Sequence, residues 1–230
     1  MEFVFSPQQA VVPVEGSGEL FPVHRIYCVG RNYAEHAKEM GDSGREAPFF
    51  FMKPADAVLP VAQGSVGEMA YPTMTKDLHH EIELVVALAS GGKNISAAEA
   101  VKHIYGYAVG LDMTRRDLQA EAKKLGRPWC TSKGFDQSAP ISAIRPISVT
   151  GPIERGPIQL NVNGQLRQQG DINQLIWSIA ETIEQLSNFY ELHAGDLIFT
   201  GTPAGVAAVV KGDLLEGSVE GVGDLRLRLV

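Results

Sequence analysis

Aromatic residues make up only 7% of this 230-residue chain, cysteine occurs twice, and no apolar run approaches the length of a membrane-spanning helix. A span takes about 20 consecutive apolar residues, so no membrane partner is expected. The cysteines, Cys28 and Cys130, are far apart and outside any metal-type spacing. One disulfide stays open, with bystander thiols in a reducing compartment as the expectation. Positive charge is also scarce: 20 Lys and Arg stand against 27 Asp and Glu, a net charge of -7. With no basic stripe to neutralise phosphates, nucleic acid is not an expected partner. Arg115-Arg116 and Lys123-Lys124 share one short helical segment with acids and read as a solvated face. The opening Met1-Glu2-Phe3-Val4-Phe5-Ser6-Pro7 lacks the basic start and apolar stretch of a secretory signal, so a cytoplasmic location is expected.

What is present is the composition of an ordinary globular protein, 44% hydrophobic and 20% charged, long enough to bury a sizeable core. Pro7, Pro13, Gly16, Gly18 and Pro22 punctuate residues 1–22, read as an N-terminal arm or small hairpin, and residues 23–230 form the main domain. A strand is expected over 24–29, a short polar helix over 33–40, and a buried strand at Pro48–Met52 broken by Lys53-Pro54. Residues 59–78 read as loop-rich. Ser96 with Glu99 forms a capping-box pattern for a helix to Ile104, and Thr114 caps another that stops at Gly126. Asn163-Gly164 between two alternating runs signals a tight hairpin. The clearest helix spans about 174–190, with Leu175, Ile176, Ile179, Ile183, Leu186 and Tyr190 in one stripe. A strand follows over 196–200. Strands outnumber helices and cluster in hairpins without a βαβ rhythm, so the fold class is a mixed, β-rich α+β domain.

The acids carry the most chemistry. In His80-Glu81-Ile82-Glu83-Leu84 and Leu111-Asp112-Met113 three carboxylates sit in apolar, strand-like segments. Residues two apart on a strand share a face, so Glu81 and Glu83 project together. Two such acids beside apolar neighbours need a cation or base to neutralise them, and an all-oxygen cluster suits a hard divalent ion, Mg²⁺ or Mn²⁺. An edge strand whose acids face water fits the pattern equally well. His79 and His80 point to opposite faces, so a zinc site is not favoured and a packing role is expected. His36 and Glu39 lie three apart, as a water-activating base and its orienting carboxylate would, or as a solvated surface pair. Lys133, among small and apolar residues, could hold an oxyanion or a carboxylate, or lie on the surface. Gln119 and Arg116 share a helical face just after Asp112, with Asp117 turned elsewhere. Thr200 and Thr202 occupy a Gly/Pro-rich turn able to receive a carboxylate, or serving only as a turn.

In order along the chain, Cys28-Val29-Gly30-Arg31-Asn32-Tyr33-Ala34-Glu35-His36, Phe51-Met52-Lys53-Pro54 and His80-Glu81-Ile82-Glu83-Leu84 resemble the fumarylacetoacetate hydrolase family. Leu111-Asp112-Met113-Thr114-Arg115-Arg116-Asp117-Leu118-Gln119, Lys133-Gly134-Phe135 and Thr200-Gly201-Thr202-Pro203-Ala204-Gly205-Val206 continue the match. The length and the Gly126-Arg127-Pro128-Trp129 segment are similar to the compact acylpyruvate hydrolase branch, of the bacterial fumarylpyruvate type. The resemblance implies a mixed β-sandwich roll with a few short helices, in a homodimer. It implies Mg²⁺ (or Mn²⁺) held by Glu81, Glu83 and Asp112, and His36 with Glu39 as the lid dyad. Lys133 and Gln119 would contact the oxyanion and substrate, with Arg31, Arg116 and Thr202 at further substrate positions. The implied reaction is hydrolysis of a carbon–carbon bond in a 2,4-diketo acid, releasing pyruvate, in aromatic-compound catabolism. Oxaloacetate decarboxylation or an isomerase/decarboxylase reaction is the alternative; a non-catalytic metal-binding module is disfavoured because the dyad would then be idle.

Overall fold

The computed structural model describes residues 3–33 and 45–230. The chain starts with a hairpin, β1 (Val11–Pro13) and β2 (Leu20–Pro22), then runs through β3 (Ile26–Gly30) and β4 (Phe49–Lys53). Short strands β5 (Val58–Val61), β6 (Gly67–Met69) and β7 (Leu78–His79) lead to the long β8 (Ile82–Leu88). Helix α1 (Ala97–Ala100), β9 (Ile104–Leu111), β10 (Thr114–Arg115), α2 (Arg116–Leu125) and α3 (Cys130–Lys133) follow. Then come β11 (Ala139–Ser142), β12 (Arg145–Pro146), α4 (Ile147–Thr150), β13 (Pro157–Val162), β14 (Gln165–Asp171) and α5 (Ile179–Phe189). Strands β15 (Leu197–Phe199), β16 (Ala208–Val209), β17 (Leu214–Val219) and β18 (Gly223–Leu229) complete the fold.

Two sheets dominate. The larger has the order β4-β3-β15-β8-β9-β11-β5, with β12 also on β9; the second has the order β14-β13-β17-β18-β6. Even-numbered Ile82, Leu84, Val86 and Leu88 of β8 join Leu160, Leu215, Leu225 and Leu227 of the second sheet in one buried cluster. Odd-numbered Val85 and Ala87 turn to the opposite face, where they pack with Ile26, Cys28, Leu197 and Phe199. Strand alternation therefore aims Glu83 and Glu81 away from the main apolar core, toward this second face. The N-terminal hairpin contributes Val12, Val14 and Phe21 to the same cluster. Among the described residues no helix is long and apolar enough to cross a membrane.

Several expectations needed correction. Residues 59–78 are loop-rich as expected, yet they also hold short strands: β5 pairs in parallel with β11, β6 in parallel with β18, and β7 lies between β10 and β16. Such short strands carry too few residues for alternation to show. These pairings, with the parallel β3–β15 pair, also depart from a hairpin-only layout. Phe49–Met52 is a half-buried sheet edge rather than a buried strand, with Met52 exposed. Thr114 belongs to β10, and Arg115 occupies the position before α2; Gly126 ends α2 in the left-handed conformation at φ 62°, as expected. The Ser96 side chain caps nothing; Glu184 of α5 accepts from Ala97 N at 3.0 Å instead. The long helix begins only at Ile179, where Ser178 and Glu181 form the capping box, and residues 172–174 make a separate 3₁₀ turn. The Asn163-Gly164 turn has φ of 52° and 75°, the both-positive pattern of a type I′ hairpin. Cys28 and Cys130 are free thiols, the first buried and the second exposed.

Candidate metal centre and active site

The register of two strands assembles the acids. Ile82 pairs with Leu111 and Glu83 with Gly110, and Asp112 N donates to Glu81 O at 2.8 Å. Glu81 thus lies opposite Asp112, while the neighbour of Glu83 is a glycine. A Cβ on Gly110 would come within 2.5 Å of Val85 Cγ2 and 2.6 Å of Phe199 Cε1, so the packing there depends on its absence. One ligand oxygen from each of Glu81, Glu83 and Asp112 falls within 4.8 Å of the others, and all three residues are buried. The water-facing alternative for these acids is thereby excluded.

Three cations converge on them. Lys133 Nζ, at the end of α3, donates to Glu81 Oε2 at 2.7 Å and to Asp112 Oδ2 at 2.6 Å. Lys53 Nζ lies 2.8 Å from Asp112 Oδ1 and donates to the carbonyls of Lys133 and Met113. Arg116 pairs through Nη2 with Glu81 Oε1 and through Nη1 with Gln119 Oε1. Lys53 and Lys133 are each only 2% exposed, so Lys133 is no surface residue. Burial alone would strip its proton, but Asp112 and Glu81 outweigh that and hold its pKa above the ordinary lysine value. Glu83 is the odd acid out. Burial, then the nearby Asp112 and Glu81 charges, push its pKa well above the carboxylate range, against a hydrogen bond from Gly201 N at 2.8 Å. A dication would relieve that repulsion, which is the sense in which these donors fit a hard divalent ion.

The turn after β15 closes the site. Thr200 donates through both N and Oγ1 to Leu84 O, and Gly201 sits at φ 103°, where a Cβ would meet Asn32 Cβ at 2.7 Å. Buried Asn32 holds the turn by donating to Thr200 O and Trp177 O while accepting from Trp177 N. Gln168 of β14 reaches across from the second sheet. Its Oε1 accepts from Ile82 N and meets His80 Nδ1 at 2.8 Å, and its Nε2 donates to Thr202 Oγ1 and Pro203 O. Burial lowers the His80 pKa, so the ring serves as a neutral packing partner; His79 pairs with Asp77 at 2.9 Å.

A cavity of about 30 Å³ connects the acids to the surface, lined by Arg31, Arg116, Gln119, Lys123, Lys133 and Thr202 together with an aromatic wall of Phe49, Phe51 and Trp129. The described structure thus brings together eight of the ten candidates; His36 and Glu39 lie outside the described residues. The segment read as a solvated face is one at Lys123 and Lys124, which are exposed, but Arg116 is partly buried on Glu81, and the place of Lys123 on the cavity lining was missed. Its signal was the spacing Arg116, Gln119, Lys123 on one face of α2. Lys53 and Gln168 were also missed, the first read as a strand breaker and the second as a hairpin residue. A larger cavity of about 280 Å³ lies elsewhere, among Ile104, Tyr107, Ile153, Ile172, Leu175 and Ile179. Glu154 is the titratable carboxylate on its lining, so the chemistry belongs to the smaller cavity.

A strand-built carboxylate triad, backed by buried lysines and opening on a cationic pocket, defines a metal-dependent enzyme of the kind that handles anionic substrates. The match to the family model described as fumarylacetoacetate (FAA) hydrolase C-terminal runs over residues 25–230, and the chain belongs to that family. It is similar to the crystal structure of fumarylpyruvate hydrolase from Pseudomonas aeruginosa in complex with Mn²⁺ and pyruvate. The TM-score is 0.98 at 53% identity, covering 100% of this chain and 99% of the other. Fumarylpyruvate hydrolase of Ralstonia sp is 44% identical over 81% of this chain and 94% of its own length. Mitochondrial oxaloacetate tautomerase FAHD1 of Rattus norvegicus is 42% identical over 89% of this chain and 90% of its own.

Proposed function

We propose that the protein is a metal-dependent hydrolase of 2,4-diketo acids, cleaving fumarylpyruvate to fumarate and pyruvate. The observation that carries this is the Glu81, Glu83, Asp112 triad at the end of a cationic pocket, on a fold that matches a fumarylpyruvate hydrolase solved with Mn²⁺ and pyruvate. The triad would hold Mg²⁺ or Mn²⁺, and the ion when bound would supply Lewis acidity for the negative charge that develops as the carbon–carbon bond breaks.

The chain's own groups do the rest. Thr202 Oγ1 already accepts from Gln168 Nε2 at 2.8 Å, which leaves its hydroxyl proton to donate to the substrate carboxylate. Gln119 Oε1 is taken by Arg116 at 2.5 Å, leaving Nε2 as a donor into the pocket. Lys133 spends two of its three N–H donors on Glu81 and Asp112, and the third is free for the oxygen of the attacked carbonyl. His36, oriented by Glu39, takes the proton from the attacking water; this assignment stands on the sequence pattern, since both lie outside the described residues. The catalytic unit spans 23–230, works as a homodimer in the cytoplasm and serves aromatic-compound catabolism.

The second reading, favoured by the oxaloacetate tautomerase relative, is keto–enol conversion or decarboxylation of oxaloacetate, which needs no water attack. Purified protein with Mg²⁺ or Mn²⁺ is assayed on fumarylpyruvate, acetylpyruvate and oxaloacetate, alongside His36→Ala. Hydrolysis of an acylpyruvate that collapses in the variant is the expected result. Turnover of oxaloacetate alone, surviving in His36→Ala, would replace the hydrolase reading with the second.

A further inference from the structure

Helix α2 lays three polar side chains along the pocket at i, i+3 and i+7: Arg116, Gln119 and Lys123. The first grips Glu81 and the second is bonded to the first. Lys123 lies two turns farther along, roughly 10 Å up the axis from Arg116 at 1.5 Å per residue. The residue is exposed, lines the pocket, and holds its Nζ 5.2 Å from the centroid of Trp129. Partial burial, with Arg116 and Arg31 nearby, lowers its pKa to about 8.

The four cations lining this cavity are not equally committed. Lys133 and Arg116 are bound to carboxylates of the triad, and Arg31 stacks on Phe49 at 5.5 Å and has a further polar partner. Among the described residues, Lys123 has no carboxylate and no hydrogen-bond acceptor. A pocket-lining cation with no such partner among the described residues, beside an aromatic ring, is arranged to receive an anion from the ligand.

We propose that Lys123 is a specificity-determining residue that binds the distal carboxylate of the acyl group, so the pocket selects dicarboxylic acylpyruvates over neutral ones. The assignment rests on the hydrolase reading and extends it to the acyl end of the substrate. An acid with charges at both ends then spans the pocket, its keto-acid head at Thr202 and the triad and its tail at Lys123.

The test compares wild type, Lys123→Gln and Lys123→Arg, each loaded with Mn²⁺. The first readout is the ratio of kcat/KM for fumarylpyruvate to that for acetylpyruvate. It should fall about tenfold or more in Lys123→Gln, carried by KM, and recover in Lys123→Arg, the size expected for one charge-assisted hydrogen bond. The second is calorimetric binding of fumarate against crotonate, which is the same carbon chain without the second carboxylate. Wild type should prefer fumarate by about tenfold, and Lys123→Gln should lose that preference. Equal ratios in wild type and Lys123→Gln, or no preference for fumarate in wild type, would overturn the assignment. If wild type hydrolyses neither acylpyruvate, the hydrolase reading fails, and the fumarate–crotonate comparison still decides the role of Lys123.

Discussion

The two large sheets of this molecule are built under opposite rules. In the second sheet β13, β17 and β18 alternate buried and more exposed residues, so one face is apolar and the other wet. In the larger sheet β8, β9 and β15 are buried almost throughout, because both faces are covered. Into this dry region the chain places Glu81, Glu83 and Asp112 with Lys53 and Lys133. Apolar packing holds the first region. The second is held by charge neutralisation, and each of its charges depends on its partners. The same strand β8 serves both, with Ile82, Leu84, Val86 and Leu88 toward the core and Glu83 toward the pocket.

Substitutions should separate the two regime by regime, starting with the largest effect. Lys53→Met leaves Asp112 without one of its cations and the α3 carbonyl of Lys133 without its donor. Urea unfolding should show a loss of about 3–5 kcal/mol; a loss under 1 kcal/mol would mean the buried charges are not interdependent. Leu160→Ala, in the core between the sheets, should cost about 2–5 kcal/mol while leaving Mn²⁺ affinity and kcat unchanged in the folded fraction. A change in Mn²⁺ affinity there would dissolve the distinction between the regions. Lys133→Met should reduce kcat by about 10²–10³, as for one lost oxyanion donor, in a protein that still folds by circular dichroism.

Proton linkage gives a subtler probe. In the metal-free protein Glu83 has a pKa raised by burial and its acidic neighbours. Between the unfolded carboxylate range and that raised value the folded state binds more protons than the unfolded state. The stability Glu83 contributes is therefore full below its unfolded pKa and is lost as pH rises. Thermal melts of metal-free wild type and Glu83→Gln should converge at acid pH, apart from a constant offset, and separate in favour of the variant toward neutral pH. Parallel curves across the range would contradict the raised pKa.

Legibility followed the same divide. Alternation and the Asn163-Gly164 signal made the β13–β14 hairpin readable, because one wet face leaves a period in the sequence. The two-residue spacing of Glu81 and Glu83 placed them on one face, and the order of motifs added Asp112. Lys53 and Gln168 were not readable. Lys53 looks like the end of a strand before proline, and only the approach of α3 to β4 makes its ammonium a partner of Asp112. Gln168 acts on residues more than thirty positions away, through a pairing of sheets that no local pattern encodes. Strands of two or three residues, β6 and β7, are fixed by their partners rather than by their own propensity.

The most direct measurement is Mn²⁺ binding by calorimetry to wild type, Glu83→Gln and Asp112→Asn. Outer-shell partners of a metal ligand typically carry 10–100-fold in affinity, so each ligand substitution should cost roughly 100-fold or more. One ion per chain in wild type, with that loss in both variants, is the result expected. Unchanged Mn²⁺ affinity in either variant would show that the ion is held elsewhere and that the triad is not the metal centre.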